Sequence, residues 1–224
     1  MEMMKGKFPR SLRIFLPAFL VLSLHGIPMT QETSGTIDEK VRAFLVRMAH
    51  GWRDMNVPEA DGEMLYNIVL SHKYTRALEI GTSTGLSGIY IAWALSKTGG
   101  KLVTIEIDEA RHAEAARNFR QAGLDGLIDA RLADAHDLVK KLPGPFDFVF
   151  IDADKDWYTN YAKDVIPKLE AGGCIAAHNV YESRGGWGRG GTGSYFEFMK
   201  SLPEFDTNIL PGGSGSLSVS YKIK

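Results

Sequence analysis

The chain has 224 residues, 44% hydrophobic and 24% charged, with 26 Lys/Arg against 27 Asp/Glu for a formal net charge of −1. This composition belongs to a folded domain and excludes disorder, collagen and long coiled coil; without a dense basic block there is no electrostatic footprint for duplex nucleic acid, so a small ligand is expected. The single cysteine, Cys174, excludes an internal disulfide and any cysteine-based zinc cluster within the chain.

At the N-terminus, Lys5, Lys7, Arg10 and Arg13 precede an uncharged apolar run over residues 14–24, and a polar stretch follows over 31–36. This is the layout of a secretory signal peptide or loose anchor, and the run, interrupted by Pro17, is well short of the ~20 residues that span a bilayer. The expectation is a secreted or periplasmic protein whose residues 1–35 are address or tether, meeting a membrane only through that segment if it stays uncleaved. The cleavage zone Leu24-His25-Gly26 lacks a small-x-small pattern, however, and if Met29 is the true start the protein is cytoplasmic. Without residues 1–26 the remainder holds 22 Lys/Arg and 26 Asp/Glu, a formal −4.

From residue 36 to 224 one domain is expected. Thr36-x-x-Glu39 reads as a capping box, with Ile37, Val41, Leu45 and Met48 following at helical spacing. A second helix is predicted over 59–71. Short apolar runs at 77–80, 102–107, 128–132, 146–151 and 174–177 read as buried parallel strands. Helices are predicted between them over 86–95, 109–122 (closed by Gly123) and 157–165. The tail differs: strands over 205–210 and 217–222, joined by residues 211–216, form an antiparallel pair at one sheet edge. The fold class is therefore α/β, a doubly wound, mostly parallel seven-stranded sheet. The stretch 184–193, with six glycines and Trp187, is expected to be a loop at the strand ends, where ligands bind in open α/β sheets.

Three groups of residues carry chemistry. Glu79-Ile-Gly81-Thr-Ser-Thr-Gly85 ends a strand and opens a helix, a strand-turn-helix cofactor signature without the Gly-x-Gly-x-x-Gly spacing of dinucleotide enzymes. Twenty-one residues past Gly85, Glu106 closes the second strand, where a carboxylate accepts hydrogen bonds from ribose hydroxyls. Further on, 146–151 delivers Asp152-Ala-Asp154-Lys155 to a strand terminus, and 174–177 delivers His178-Asn179 to the next. Asp152, His178 and Asn179 can converge on one cation, with Lys155 beside it as a general base toward a metal-held hydroxyl. The plainer reading, in which the glycines only turn the chain and Asp152 only caps a helix, stays open at this point.

Met55-Asn-Val57, the turn from Glu79 to Gly85, Ile105-Glu-Ile107, Phe148 to Lys155 and His178-Asn-Val180 occur in an order and spacing that resemble S-adenosylmethionine-dependent O-methyltransferases of the catechol and caffeoyl-CoA type. The resemblance implies a class I, Rossmann-like methyltransferase fold and transfer of a methyl group to a hydroxyl of a catechol-like or other phenolic small molecule. It implies a cofactor site lined by Met55, Val57, Gly81, Ser87 and Glu106, with His136 near the adenine; Glu79 and Asp152 are assigned to that site as well. It also implies a divalent metal on Asp152, His178 and Asn179, Lys155 as the base, and a homodimer as a common assembly.

One position departs from the family pattern, which has Asp where this chain has His178. Magnesium prefers oxygen donors, so an imidazole favours a softer ion such as manganese, iron, nickel or zinc, or else the site is lost. No acidic partner for a ring nitrogen of His178 is apparent in the sequence. A non-catalytic or metal-independent S-adenosylmethionine-binding protein and a dinucleotide-dependent oxidoreductase are the competing classes.

Overall fold

The computed structural model describes residues 35–49, 51–52, 54–181, 191–211 and 216–223. In chain order these form α1 (Ile37–Met48), α2 (Glu59–His72), β1 (Arg76–Ile80), α3 (Leu86–Thr98), β2 (Lys101–Glu106), α4 (Glu109–Ala122), β3 (Ile128–Leu132), α5 (Ala135–Lys141), β4 (Phe146–Ile151), α6 (Tyr158–Val165), β5 (Leu169–Ala177), α7 (Gly191–Ser201), β6 (Phe205–Leu210) and β7 (Leu217–Lys222). Local chemistry sets several of the boundaries. Thr36 and Glu39 close the expected capping box, each accepting the other's backbone N–H at 3.3 and 2.8 Å. Asp108 caps α4 by accepting from the Arg111 N–H at 2.9 Å, and Gly123 ends that helix at a φ of 73°, where only glycine is unstrained.

The sheet runs β3-β2-β1-β4-β5-β7-β6, with β7 antiparallel to both neighbours and the other pairings parallel. This is the doubly wound sheet with an antiparallel edge pair that the strand pattern predicts. Alternate residues of the central strands feed two cores. Phe148 and Phe150 of β4 join Phe44, Leu65, Ile89 and Phe119 on one face, whereas Val149 and Ile151 join Val139, Tyr161 and Met199 on the other. Every residue of β4 is buried, as a central strand covered on both faces must be.

Two helices were not visible as periodic patterns. α5 has only seven residues, and α7 begins inside the stretch expected to be a glycine-rich loop. Gly191 permits that start, because a Cβ there would lie 2.3 Å from the Lys155 carbonyl oxygen. The rest of that stretch, with Trp187, lies outside the described residues, as do the N-terminal segment to residue 34 and residues 212–215. β5 also starts five residues before the predicted strand. Gly172 and Gly173 lie in this added stretch, where the β4–β5 register shifts. Among the described residues no helix is long and apolar enough to cross a membrane.

Candidate functional site

β1 delivers its carboxyl end into a turn that has to be narrow. Gly81 sits at φ 99°, and a Cβ on it would lie 2.4 Å from the backbone oxygen of Asp152, so the ends of β1 and β4 touch there. The Gly81 and Thr82 N–H groups both donate to the Ile105 carbonyl, at 3.0 and 3.2 Å, stitching the turn to β2. Asn56 holds it from the other side. Its amide donates to Thr84 Oγ1 at 2.7 Å, and its side-chain oxygen accepts the Leu86 N–H at 3.3 Å, capping α3 from a distant segment.

A cavity of about 610 Å³ opens beside this turn. It lies outside the carboxyl ends of the strands where β1 and β4 part company in the winding, the place where open α/β sheets bind ligands. Of the predicted site residues it brings together Met55, Gly81, Glu106 and His136 with Asp152, Lys155, His178 and Asn179. Val57, Glu79 and Ser87 are buried and do not line it. Glu79 faces inward instead: its Oε2 accepts from Thr104 Oγ1 at 2.6 Å, and burial pushes its carboxyl up to about 7, against the pull of hydrogen bonds from Ser87 and Thr104. It supports the turn from beneath.

Glu106 does face the cavity, held by three backbone N–H groups, from Ser83 at 2.7 Å and from Ile107 and Asp108 at 3.0 Å each. Carboxylate oxygens have lone pairs to spare after these bonds, so a ligand hydroxyl can still be bound. His136, in the first turn of α5, packs its ring 4.5 Å from Trp157 and 5.7 Å from Tyr161, centroid to centroid. The arrangement makes an aromatic wall at one end.

At the other end lies a charged network. Asp152 Oδ1 pairs with Lys155 Nζ and faces the Tyr158 hydroxyl at 3.3 Å, while its Oδ2 lies 3.4 Å from His178 Nδ1. Lys155 also donates to Tyr158 Oη at 2.9 Å. The Tyr158 hydroxyl lies 3.1 Å from the His178 carbonyl, and burial above all, then the Asp152 charge, keeps it protonated. The far ring nitrogen of His178, Nε2, is 2.9 Å from Oδ2 of Asp61, a carboxylate in the first turn of α2 with no exposed surface.

Asp61 is the residue that sequence reasoning missed, and it supplies the acidic partner that no motif indicated. It lies 117 positions before His178, so no spacing connects them. A signal did exist: Asp61, Leu65, Ile68 and Val69 share the buried stripe of α2, and a carboxylate on a core-facing stripe requires a partner.

The predicted metal donors Asp152, His178 and Asn179 all line this cavity. Nε2 of His178 lies 2.9 Å from Asp61 and Nδ1 lies 3.4 Å from Asp152 Oδ2, while Asp152 Oδ1 pairs with Lys155. Among the described residues no group of three or more His, Cys, Asp or Glu is placed to hold a metal ion.

The O-methyltransferase family model matches residues 31–184, more than half of the chain. A catechol O-methyltransferase from Niastella koreensis is 36% identical over 134 residues, which cover 58% of this chain and 60% of that protein. A caffeoyl-CoA O-methyltransferase from Medicago sativa is 31% identical over 141 residues, 60% of this chain and 57% of that protein. The chain thus spans about three fifths of the length of these curated relatives. Among solved structures, an O-methyltransferase from Bacillus cereus in complex with SAH superposes with a TM-score of 0.71 at 25% identity, covering 86% of this chain and 94% of that one. A glycine turn at the strand crossover, a carboxylate closing the second strand and a polar cluster on the neighbouring strand ends agree with these matches: the chain belongs to the O-methyltransferase family.

Proposed function

We propose that this chain transfers the methyl group of S-adenosylmethionine to a hydroxyl of a small phenolic or catechol-like acceptor. The observation that carries this reading is that one cavity holds both the cofactor-type turn, with Gly81 and Glu106, and the cluster of Asp152, Lys155, His178 and Asn179. The names of the relatives support the acceptor class. Gly81 leaves room against the backbone, Glu106 offers acceptor oxygens for ribose hydroxyls, and the His136 wall suits a flat base. When bound, the cofactor supplies an electrophilic methyl group on sulfur.

The residues of the chain then have two tasks, alignment and deprotonation. A free phenol has a pKa near ~10, so at neutral pH the attacking oxygen has to be relieved of its proton in place. Lys155 is the residue placed to take that proton, held in position by Asp152 and Tyr158. Holding acceptor and methyl donor in one cavity converts a bimolecular reaction into a local one, where orientation alone contributes several kcal/mol.

The test pairs binding with turnover. S-adenosylhomocysteine at about 100 times its Kd should stabilise the fold by about 2.7 kcal/mol, a rise of roughly 5–10 °C in Tm, and NAD should not. Mass spectrometry of a catechol panel should then show a product one methylene heavier. Stabilisation by NAD alone would move the reading to an oxidoreductase, and stabilisation by S-adenosylhomocysteine with no methylated product would reduce it to cofactor binding.

A further inference from the structure

Lys155 is held at both ends, and one of the two holds comes from a distant helix. At the side-chain end, Nζ donates to Tyr158 Oη at 2.9 Å and pairs with Asp152. At the backbone end, Lys155 opens a single 3₁₀ turn, Lys155–Trp157, and Asp154 caps it by accepting the Asp156 N–H at 3.1 Å. α7 closes on this turn from thirty-five positions beyond Asp156: the N–H of Gly191, its first residue, donates to Asp156 Oδ1 at 3.1 Å. That N–H is one of the four a helix cannot satisfy internally, and a carboxylate is a favoured partner there. Gly191 brings the two backbones together, because a Cβ on it would lie 2.3 Å from the Lys155 carbonyl oxygen and 2.5 Å from Asp156 Cα. α7 is firmly seated behind the contact. Tyr195, Phe196 and Met199 are buried in the core shared with Val149 and Ile151, and the Tyr195 ring meets the Tyr158 ring edge-on, 5.7 Å between centroids. The helix therefore supports the lysine twice, at its backbone through Gly191 and at its amine through Tyr195 and Tyr158.

We propose that Asp156 and Gly191 are positioning residues for methyl transfer, clasping α7 to the backbone of Lys155 so that its amine is aimed at the acceptor hydroxyl. This rests on the methyltransferase reading above, with Lys155 as the base. A free lysine side chain carries about 2 kcal/mol of rotamer entropy, and holding both of its ends takes up that freedom before the acceptor arrives. Neither Asp156 nor Gly191 lines the cavity, so loss of the clasp leaves the cofactor turn as it is. A displacement of about 1 Å at a reacting group costs on the order of 10²-fold in rate. The clasp thus acts on turnover and not on donor affinity.

The test reads turnover of a catechol acceptor, donor binding and geometry on the full chain. Asp156→Ala should lower kcat roughly tenfold and Gly191→Ala about 10²-fold, while KM for the methyl donor and the melting shift with S-adenosylhomocysteine stay parental. Asp156→Asn should restore kcat to within about threefold, since an amide oxygen accepts the same N–H. In a Lys155→Ala background, Asp156→Ala should lower turnover by less than about twofold more, because it acts through that side chain. Crystal structures of the parent and Asp156→Ala should show Lys155 Nζ displaced from Tyr158 Oη in the variant. Parental kcat in Asp156→Ala or Gly191→Ala, an Asn variant as slow as the Ala variant, or an undiminished Asp156→Ala effect without Lys155 overturns the proposal. An unmoved Lys155 in the variant crystal overturns it too, and that comparison does not depend on turnover. A parent that binds no S-adenosylhomocysteine counts instead against the methyltransferase reading, and parental turnover in Lys155→Ala alone counts against Lys155 as the base.

Discussion

Replacing Glu79 by Gln should make the fold more stable at alkaline pH and change it far less at acid pH. The Glu79 side chain has no exposed surface and accepts from Thr104 Oγ1 at 2.6 Å, and that threonine hydroxyl lies 2.5 Å from Thr82 Oγ1. Burial moves the carboxyl from 4.5 to about 7, helped by the charges of Asp152 and Glu106 and opposed by hydrogen bonds from Ser87 and Thr104. A carboxyl whose folded pKa is raised binds protons better in the folded state. Its contribution is therefore present in full below the unfolded value of 4.5 and is lost as pH rises through about 7. At 1.36 kcal/mol per pKa unit the full loss is on the order of 3 kcal/mol, with most of it falling between pH 5 and 8. Glutamine cannot ionise. Any fixed penalty of the amide is common to both pH values and cancels, so the stability of the variant relative to the parent should rise by about 2–3 kcal/mol from pH 5 to pH 8. For a domain of this size that is roughly 5–10 °C in relative Tm. Thermal melts of parent and variant at the two pH values measure it, and a difference that does not change with pH would refute the neutral-carboxyl argument.

Two further substitutions probe the cavity. Lys155→Ala should lower turnover on a vicinal diol by about 10²-fold or more while leaving the melting shift with S-adenosylhomocysteine intact; unchanged turnover would remove Lys155 as the base. Gly81→Ala should lower Tm by several degrees and weaken cofactor binding, because its Cβ would lie 2.4 Å from the Asp152 backbone oxygen at φ 99°. Gly99→Ala is the control: it shares a positive φ, 79°, but has nothing within 4 Å, so it should cost only the backbone strain of about 1 kcal/mol.

The sheet was legible in the sequence because its strands are buried on both faces. A run such as Phe146–Ile151, apolar at nearly every position, can be read without knowing its neighbours. Gly81, Glu106, Asp152 and His178 were legible for a related reason: each is fixed by its place at the end of such a run, and strand ends of a parallel sheet share one rim. What stayed hidden depends on contacts between distant segments. Asp61 reaches His178 across 117 positions, and Asn56 caps α3 from thirty residues upstream of Leu86. Glu79 misled for the opposite reason. Its position at the head of the turn suggested a ligand contact, but alternation along β1 turns its side chain into the core beside Thr104. The start of α7 was obscured because glycine signals a loop in sequence, whereas at Gly191 it permits close packing against Lys155.

The buried carboxylates show why the chemistry collects at one end of the sheet. At the amino end of β4, Asp147 is saturated by the Thr75 N–H and hydroxyl and the Arg76 N–H, at 2.8, 3.0 and 2.8 Å, and it ties strands together without facing the cavity. Glu79 meets burial with a carboxyl pushed up to about 7, so that it holds its proton well above the usual carboxylate range. Both solutions are closed to a ligand. At the carboxyl ends, Glu106 is anchored by backbone N–H groups with lone pairs left over, and Asp152 is balanced by side-chain cations. The balancing cations are mobile in composition: a ring or an ammonium can exchange a proton with a bound hydroxyl, whereas a backbone N–H cannot. A site that has to accept an acceptor's proton and stabilise the resulting oxyanion therefore needs carboxylates paired with titratable cations, and in the described chain Asp152, Lys155 and His178 provide that combination around one cavity, with Asp61 behind the ring.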